Sequence, residues 1–267
     1  MSREREQARY QYLPVPSDVT DGELVSKIAE YFDQECLEYD HFDASVERRR
    51  LYHTAIDALV LKEVALLQGV SSLLSFGCGT GRREEILRGR LATGLELYGV
   101  EFSRGMANLA RARGLQVFPD LKVAGAKIPG STVDVALCLY SFVHLTSPSE
   151  RADCLSGLRR LLRPGGILLL DVFNLHDRYE WPSKLSDGGF GDPPALSGVR
   201  RGDALYRRCD RPFLSFMHYF TVGEIATLIE DCGFRVRHVT GVGHGFHPGQ
   251  IGLPLDAACI FLSAVAQ

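Results

Sequence analysis

The chain has 267 residues, 45% hydrophobic and 24% charged, the composition of a soluble globular protein with room for one α/β domain and additions. Its formal net charge of −3 gives no general attraction for nucleic acid, and no apolar run approaches the roughly 20 residues of a membrane-spanning helix. The charged start MSREREQARY lacks the apolar segment of a secretory signal, and the seven cysteines are scattered with no C-x-x-C pair, as expected of reduced thiols in a cytoplasmic protein.

Residues 1–20 are polar, carry Pro14 and Pro16, and read as an arm. Asp21 to Glu38 places Leu24, Ile28, Tyr31 and Phe32 at helical spacing; Ser45 to Gln68 repeats the pattern with Leu51, Ala55, Ala58, Leu59 and Leu66 before Gly69 stops it. Next comes the most informative stretch. The apolar run from Leu73 breaks into Gly77-Cys78-Gly79-Thr80-Gly81, and a helix-forming segment, Arg82 to Arg90, follows at once. That is the start of a nucleotide-binding βαβ unit, in which glycines reverse the chain, let backbone approach a ligand and let helix pack on strand. Leu95 to Val100 reads as the second strand. Glu101 at its end lies about twenty residues past the glycines, where a carboxylate accepts from a ribose diol; its bland role is an acid ahead of the helix Ser103 to Arg113. Cys78 reads as a small residue that fits the turn, not as a nucleophile.

Further strands fall near 115–118, 133–139 and 167–172, with a helix near 147–162. Alternation of this kind implies parallel strands with crossovers. Residues 176–218 break the rhythm with Trp181-Pro182, Asp187-Gly188-Gly189 and Pro193-Pro194, and read as an insertion. Phe220 to Cys232 is a helix, and Phe234 to Val239 and Ala257 to Val265 are apolar enough for two closing strands. The expected organisation is an arm and helical cap over 1–68, then a nucleotide-binding core over 69–267 carrying the 176–218 insertion as a substrate element.

The glycine spacing is G-x-G-x-G, not the G-x-G-x-x-G of dinucleotide sites. Here the chain resembles the class I S-adenosylmethionine-dependent methyltransferases. Phe76 to Gly81 resembles their first motif, Tyr98-Gly99-Val100-Glu101 their second-strand acid, Val133 to Cys138 their fourth strand, and Arg163-Pro164-Gly165-Gly166 the turn into strand five; Phe220-Thr221 and Cys232-Gly233-Phe234 resemble the late helix and its exit. The motifs run in order over about residues 70 to 265. The resemblance implies a doubly wound, mostly parallel, seven-stranded Rossmann-like sheet and S-adenosylmethionine as cofactor. One position departs: many relatives carry an acid two residues before the first glycine, and this chain has Ser75, which hydrogen-bonds but does not neutralise an ammonium group.

In open α/β sheets ligands sit outside the carboxyl ends of the strands, which selects the candidate residues. For the cofactor these are Gly77, Cys78, Gly79, Gly81, Glu101, Asp120 after the third strand, Tyr140 after the fourth, and Tyr31 on the cap, where a lid carries its aromatic groups beside Tyr39 and His41. For chemistry they are His144, which titrates in the useful range, Asn174 after strand five, and His218 with Tyr219 at the end of the insertion. Each has a structural alternative: His144 as a hydrogen-bonding linchpin, Asn174 as a turn cap, the cap aromatics as packing. Arg200, Arg201, Arg207, Arg208 and Arg211 form a cluster that suits anions or simply a solvated loop. His244 and His247 lack companions at ligand spacing, so no metal is expected. The reading is a methyltransferase acting on an O or N atom of a small molecule, with no nucleic-acid or membrane partner and with a homodimer left open. A tRNA-modifying methyltransferase, a non-methylating enzyme on this fold and an NAD-dependent oxidoreductase stand as alternatives.

Overall fold

A computed structural model describes residues 10–16, 18–91, 94–177, 199–208, 214–245, 247–253 and 257–267. Its centre is an eight-stranded sheet built from β2 (Ser72–Phe76), β3 (Glu96–Val100), β4 (Gln116–Phe118), β5 (Val133–Cys138), β6 (Leu162–Phe173), β9 (Phe234–Val242), β10 (Ile251–Leu253) and β11 (Cys259–Ala266). The order is β10-β9-β11-β6-β5-β2-β3-β4. β4, β3, β2, β5 and β6 pair in parallel, and β11 and β10 run antiparallel to their neighbours. All six residues of β5 are buried, the unbroken apolar pattern of a strand covered on both faces. The strand count is therefore eight, not the seven expected. The addition is β10, three residues containing Gly252, too short to show a period.

The helices α3 (Arg82–Arg90), α4 (Arg104–Ala112), α5 (Leu121–Lys127), α6 (Pro148–Leu161) and α7 (Val222–Asp231) follow the core strands. Side chains of Ser103, Asp120, Ser147 and Thr221 cap the last four. Asp134 at the start of β5 accepts from the backbone N–H of Ser71 and Ser72 and from Arg163 Nε at 2.5 Å, stitching three strand entries together.

The cap comprises α1 (Asp21–Ser45) and α2 (Glu47–Val64). α1 opens on a Thr20–Glu23 capping box and runs further than Glu38, through His41. The arm corrects an expectation. Tyr10–Pro16 is a strand, β1, paired antiparallel with β7 (Val199–Arg208), and β7 pairs with β8 (Ser215–His218) in a separate three-stranded sheet. The arm thus shares one sheet with the two described strands of the insertion. Alternation along it makes two faces: Leu205 and Phe216 join Val15, Leu24 and Ile28 in a small second core against α1, while Ala204, Tyr206 and Met217 face the main core. Trp181, Phe190, Phe213 and Arg211 lie outside the described residues.

Candidate functional site

The site grows from the glycine turn. Gly77 and Cys78 donate their backbone N–H groups to the Val100 carbonyl, drawing the turn over the end of β3. Gly81 begins α3 in the left-handed region at φ +76°, and a Cβ there would stand 2.9 Å from Ala110 Cα; only glycine lets α3 and α4 cross so closely. Gly79 is also left-handed, at φ +54°, yet a Cβ there would meet nothing within 4 Å. The space above it is open. Cys78 packs inward, its Sγ against Gly99, and burial pushes its thiol well up, so it is inert.

Glu101 ties the glycine turn to the start of α4. It is buried, one oxygen accepts from the Gly79 N–H and the other from the Ser103 N–H, both at 2.9 Å. Burial pushes its carboxyl up to about 7, against those two donors. Each carboxylate oxygen has a second lone pair, and Glu101 lines a cleft of about 260 Å³ with Gly77, Gly79, Asp120, Tyr140 and His144. Asp120 reaches this cleft as the cap of α5, accepting from Val123 N–H at 2.7 Å.

The cap is pinned over the cleft by two acids the sequence reading passed over. Asp33 accepts from Ser103 Oγ at 2.6 Å and from the Gly105 N–H at 3.1 Å; Asp40 accepts from Thr80 Oγ1 and Arg113, both at 2.6 Å. The signal was available, since residues seven apart share one helix face. Phe32 and Tyr39 from the same helix line the cleft. Tyr31 does not. It stands in the next cavity, edge-on to Tyr206 at 5.4 Å. His41 is exposed.

That next cavity, about 60 Å³, is walled by Tyr31, Phe32, Tyr39, Tyr140, Phe173, Tyr206 and Tyr219, with Met217, His144, His244, Arg48 and Arg49. It shares Phe32, Tyr39, Tyr140 and His144 with the cofactor-sized cleft. Tyr140 is held at φ +57°, a conformation costing about 1–2 kcal/mol, by its N–H donating to Asp171 at 2.5 Å. Asp171, buried at the end of β6, also accepts from Tyr52 of α2 at 2.5 Å. His144 Nδ1 lies 2.6 Å from the Phe216 carbonyl, so Nδ1 carries the proton and Nε2 is an acceptor. Burial pushes this imidazole down to about 4, and it is neutral at physiological pH. Arg49 is bound to Asp43 and stacks over Tyr140 at 5.2 Å.

Two sequence candidates are structural. His218 has both ring nitrogens engaged, Nδ1 with Asp203 at 2.5 Å and Nε2 with Glu224 at 3.0 Å, and lines neither cavity. The β7–β8 register places Asp203 opposite it, and Glu224 belongs to the α7 capping box. Asn174 is a staple, donating Nδ2 to the Ala257 carbonyl and accepting from the His176 N–H, both at 3.0 Å. Tyr219 does reach the aromatic cavity. Arg207 and Arg208 end β7, paired with Gln11 and Tyr10 of the arm, and Arg207 lines neither cavity; the cations at the aromatic cavity come from α2. Among the described residues no group of His, Cys, Asp or Glu is arranged to hold a metal ion.

Comparison with known proteins agrees with this geometry. Residues 46–239 match the family model described as a methyltransferase domain. The Bacillus subtilis (strain 168) protein YqeM, which carries a methyltransferase name, is 25% identical over 74% of this chain and 87% of its own length. Among solved structures, the Burkholderia thailandensis 1,6-didemethyltoxoflavin-N1-methyltransferase has a TM-score of 0.62 at 16% identity, covering 96% of this chain and 95% of that one. A Methanosarcina mazei S-adenosylmethionine-dependent methyltransferase has a TM-score of 0.59 at 21% identity, over 77% and 96%. With an open glycine turn, a buried acid at the β3 end and a family match over most of its length, the chain belongs to the class I methyltransferase-domain family, and its cofactor is S-adenosylmethionine.

Proposed function

We propose that this protein methylates an O or N atom of a small, flat acceptor bound in the aromatic cavity. One observation carries the reading: the cavity adjoins the cofactor cleft and shares four side chains with it, so an acceptor held there lies beside the methyl donor. The bound cofactor supplies the electrophilic methyl group, and the protein's part is alignment. Tyrosine and phenylalanine rings on several sides select a planar molecule by stacking and by excluding water. Nε2 of His144 accepts a hydrogen bond from the acceptor's O–H or N–H and points its lone pair away from the imidazole, toward the methyl group. With its low basicity, His144 orients the acceptor more than it deprotonates it.

The Burkholderia relative named above acts on a small heterocycle, which is in keeping with this reading. The chain's formal net charge of −3 and the aromatic walls favour a small molecule over tRNA. The test is incubation with isotopically methyl-labelled cofactor and a panel of phenols, heteroaromatic amines, aliphatic amines and bulk tRNA, read by mass spectrometry. Label in a planar small molecule, lost in Tyr206→Ala with cofactor affinity retained, supports the proposal; label only in tRNA overturns it. An active protein also belongs in the transferase class, whereas cofactor turnover without any methylated product would favour a non-methylating reaction.

A further inference from the structure

A polar cavity of about 200 Å³ lies on the other side of the glycine turn, sharing Gly77, Gly79, Tyr39 and Tyr140 with the cofactor cleft. Four acids line it. Asp40 is bound to Arg113, Asp43 to Arg49 and Asp57 to Arg83, each across 2.8 Å or less. Glu84 is different. It is 2% exposed, none of the ion pairs among the described residues includes it, and its Oε2 has no hydrogen-bond partner. It sits in the first turn of α3 and lines this cavity together with Ser75, whose hydroxyl partly offsets the burial that raises its carboxyl. A buried carboxylate oxygen without a partner is costly, so a ligand cation is its natural complement.

Ser75 is the position at which the strand lacks an acid. We propose that Glu84 supplies from α3 the negative charge that β2 does not, and that it binds the α-ammonium of the cofactor's methionine end. The acid has moved from the strand to the helix that follows it, on the same cavity as Ser75, and Glu84 Oε2 is the oxygen left for the ammonium group. Burial raises the Glu84 carboxyl, and a cation beside it would favour its charged form. The inference rests on the assignment of S-adenosylmethionine as cofactor, and the ligand series below separates the two.

The experiment is calorimetric binding to the full chain of three ligands: S-adenosylhomocysteine, its decarboxylated analogue, which keeps the amine, and 5′-methylthioadenosine, which has neither amine nor carboxylate. Glu84→Gln should weaken the two amine-bearing ligands about 10- to 100-fold, as loss of a charged hydrogen bond does, and leave 5′-methylthioadenosine within about twofold. Adding Ser75→Asp to Glu84→Gln should restore affinity for the amine-bearing ligands alone. The single variant should also melt no lower than the wild type, because it removes an unpaired buried charge. Equal losses for all three ligands would show that Glu84 acts through the fold, and unchanged affinities would show that it does not meet the ligand; either overturns the proposal. If the wild type binds none of the three, the cofactor assignment itself falls.

Discussion

The glycine turn offers a sharp test, because two of its glycines have the same backbone hand and opposite surroundings. Gly79→Ala and Gly81→Ala both force an L-residue into the left-handed region, at a cost of about 1–2 kcal/mol. At Gly79 that is the whole penalty, since the new Cβ meets nothing within 4 Å. At Gly81 the methyl would lie 2.9 Å from Ala110 Cα, 3.0 Å from Ala110 Cβ and 3.2 Å from Leu115 Cδ1. Two of those atoms belong to a helix that cannot give way alone, so overpacking adds about 1–3 kcal/mol. Gly81→Ala should therefore lose about 2–5 kcal/mol, a large share of the roughly 5–15 kcal/mol of a typical domain. In cofactor binding the order reverses. The Gly79 methyl occupies space in the cleft, and S-adenosylhomocysteine affinity should fall at least about tenfold, equivalent to about 1.4 kcal/mol. Thermal melts with and without S-adenosylhomocysteine measure both quantities. The reasoning is refuted if Gly79→Ala costs more stability than Gly81→Ala, or binds the cofactor product as the wild type does.

Other outcomes follow from the same geometry. His218→Ala leaves buried Asp203 and half-exposed Glu224 without their shared partner, so it should lose about 2–4 kcal/mol in a denaturant titration while turnover per folded molecule changes less than about threefold; a kcat loss in an equally stable variant would contradict this. Glu101 has its carboxyl raised to about 7, so its ionised, ribose-accepting form is the minority below that pH and the majority above it. Cofactor affinity should rise up to about tenfold from pH 6 to pH 8, and Glu101→Gln should bind weakly with a flat profile. Asp33→Ala releases α1 from the start of α4, and should speed cofactor dissociation about 5- to 30-fold in stopped-flow measurements while leaving the core sheet's stability nearly unchanged.

What was legible in the sequence was what is local. The turn from β2 into α3, the acid closing β3 and the buried run of β5 each declare themselves within ten residues, because strand, turn and helix signals are neighbours along the chain. The arm was not legible. Leu13 and Val15 alternate as a strand should, but Pro14 and Pro16 interrupt the pattern, and the partner β7 lies far away in sequence. His218 was misread for a related reason: its position after an insertion suggests a pocket, and only the β7–β8 register reveals that Asp203 sits opposite. The aromatic cavity was half legible. Tyr219 is a candidate in the sequence and reaches the cavity, whereas Tyr31, a cofactor candidate there, faces the aromatic cavity and not the cleft, a distinction that depends on which face of α1 turns toward β7.

This difference in legibility follows the division of labour in the molecule. The cofactor half is made of parallel strands and the helices between them, and its key contacts join residues close along one βαβ unit. The aromatic cavity, the acceptor site of our proposal, is assembled from the cap, β7, β8 and the end of β6, and its parts meet only in the folded chain. The two halves are joined at several points, among them the His144 Nδ1–H to the Phe216 carbonyl, the Asp171 carboxylate that fixes both Tyr52 and Tyr140, and the Asp33 and Asp40 contacts from α1 to the core. A cavity walled by side chains of α1, β7 and β8 can change its shape by substitution there without disturbing the sheet beneath. One fold serves many substrates in this way, and on our proposal the identity of the acceptor is to be sought among the side chains of β7, β8 and α1, not in the glycine turn.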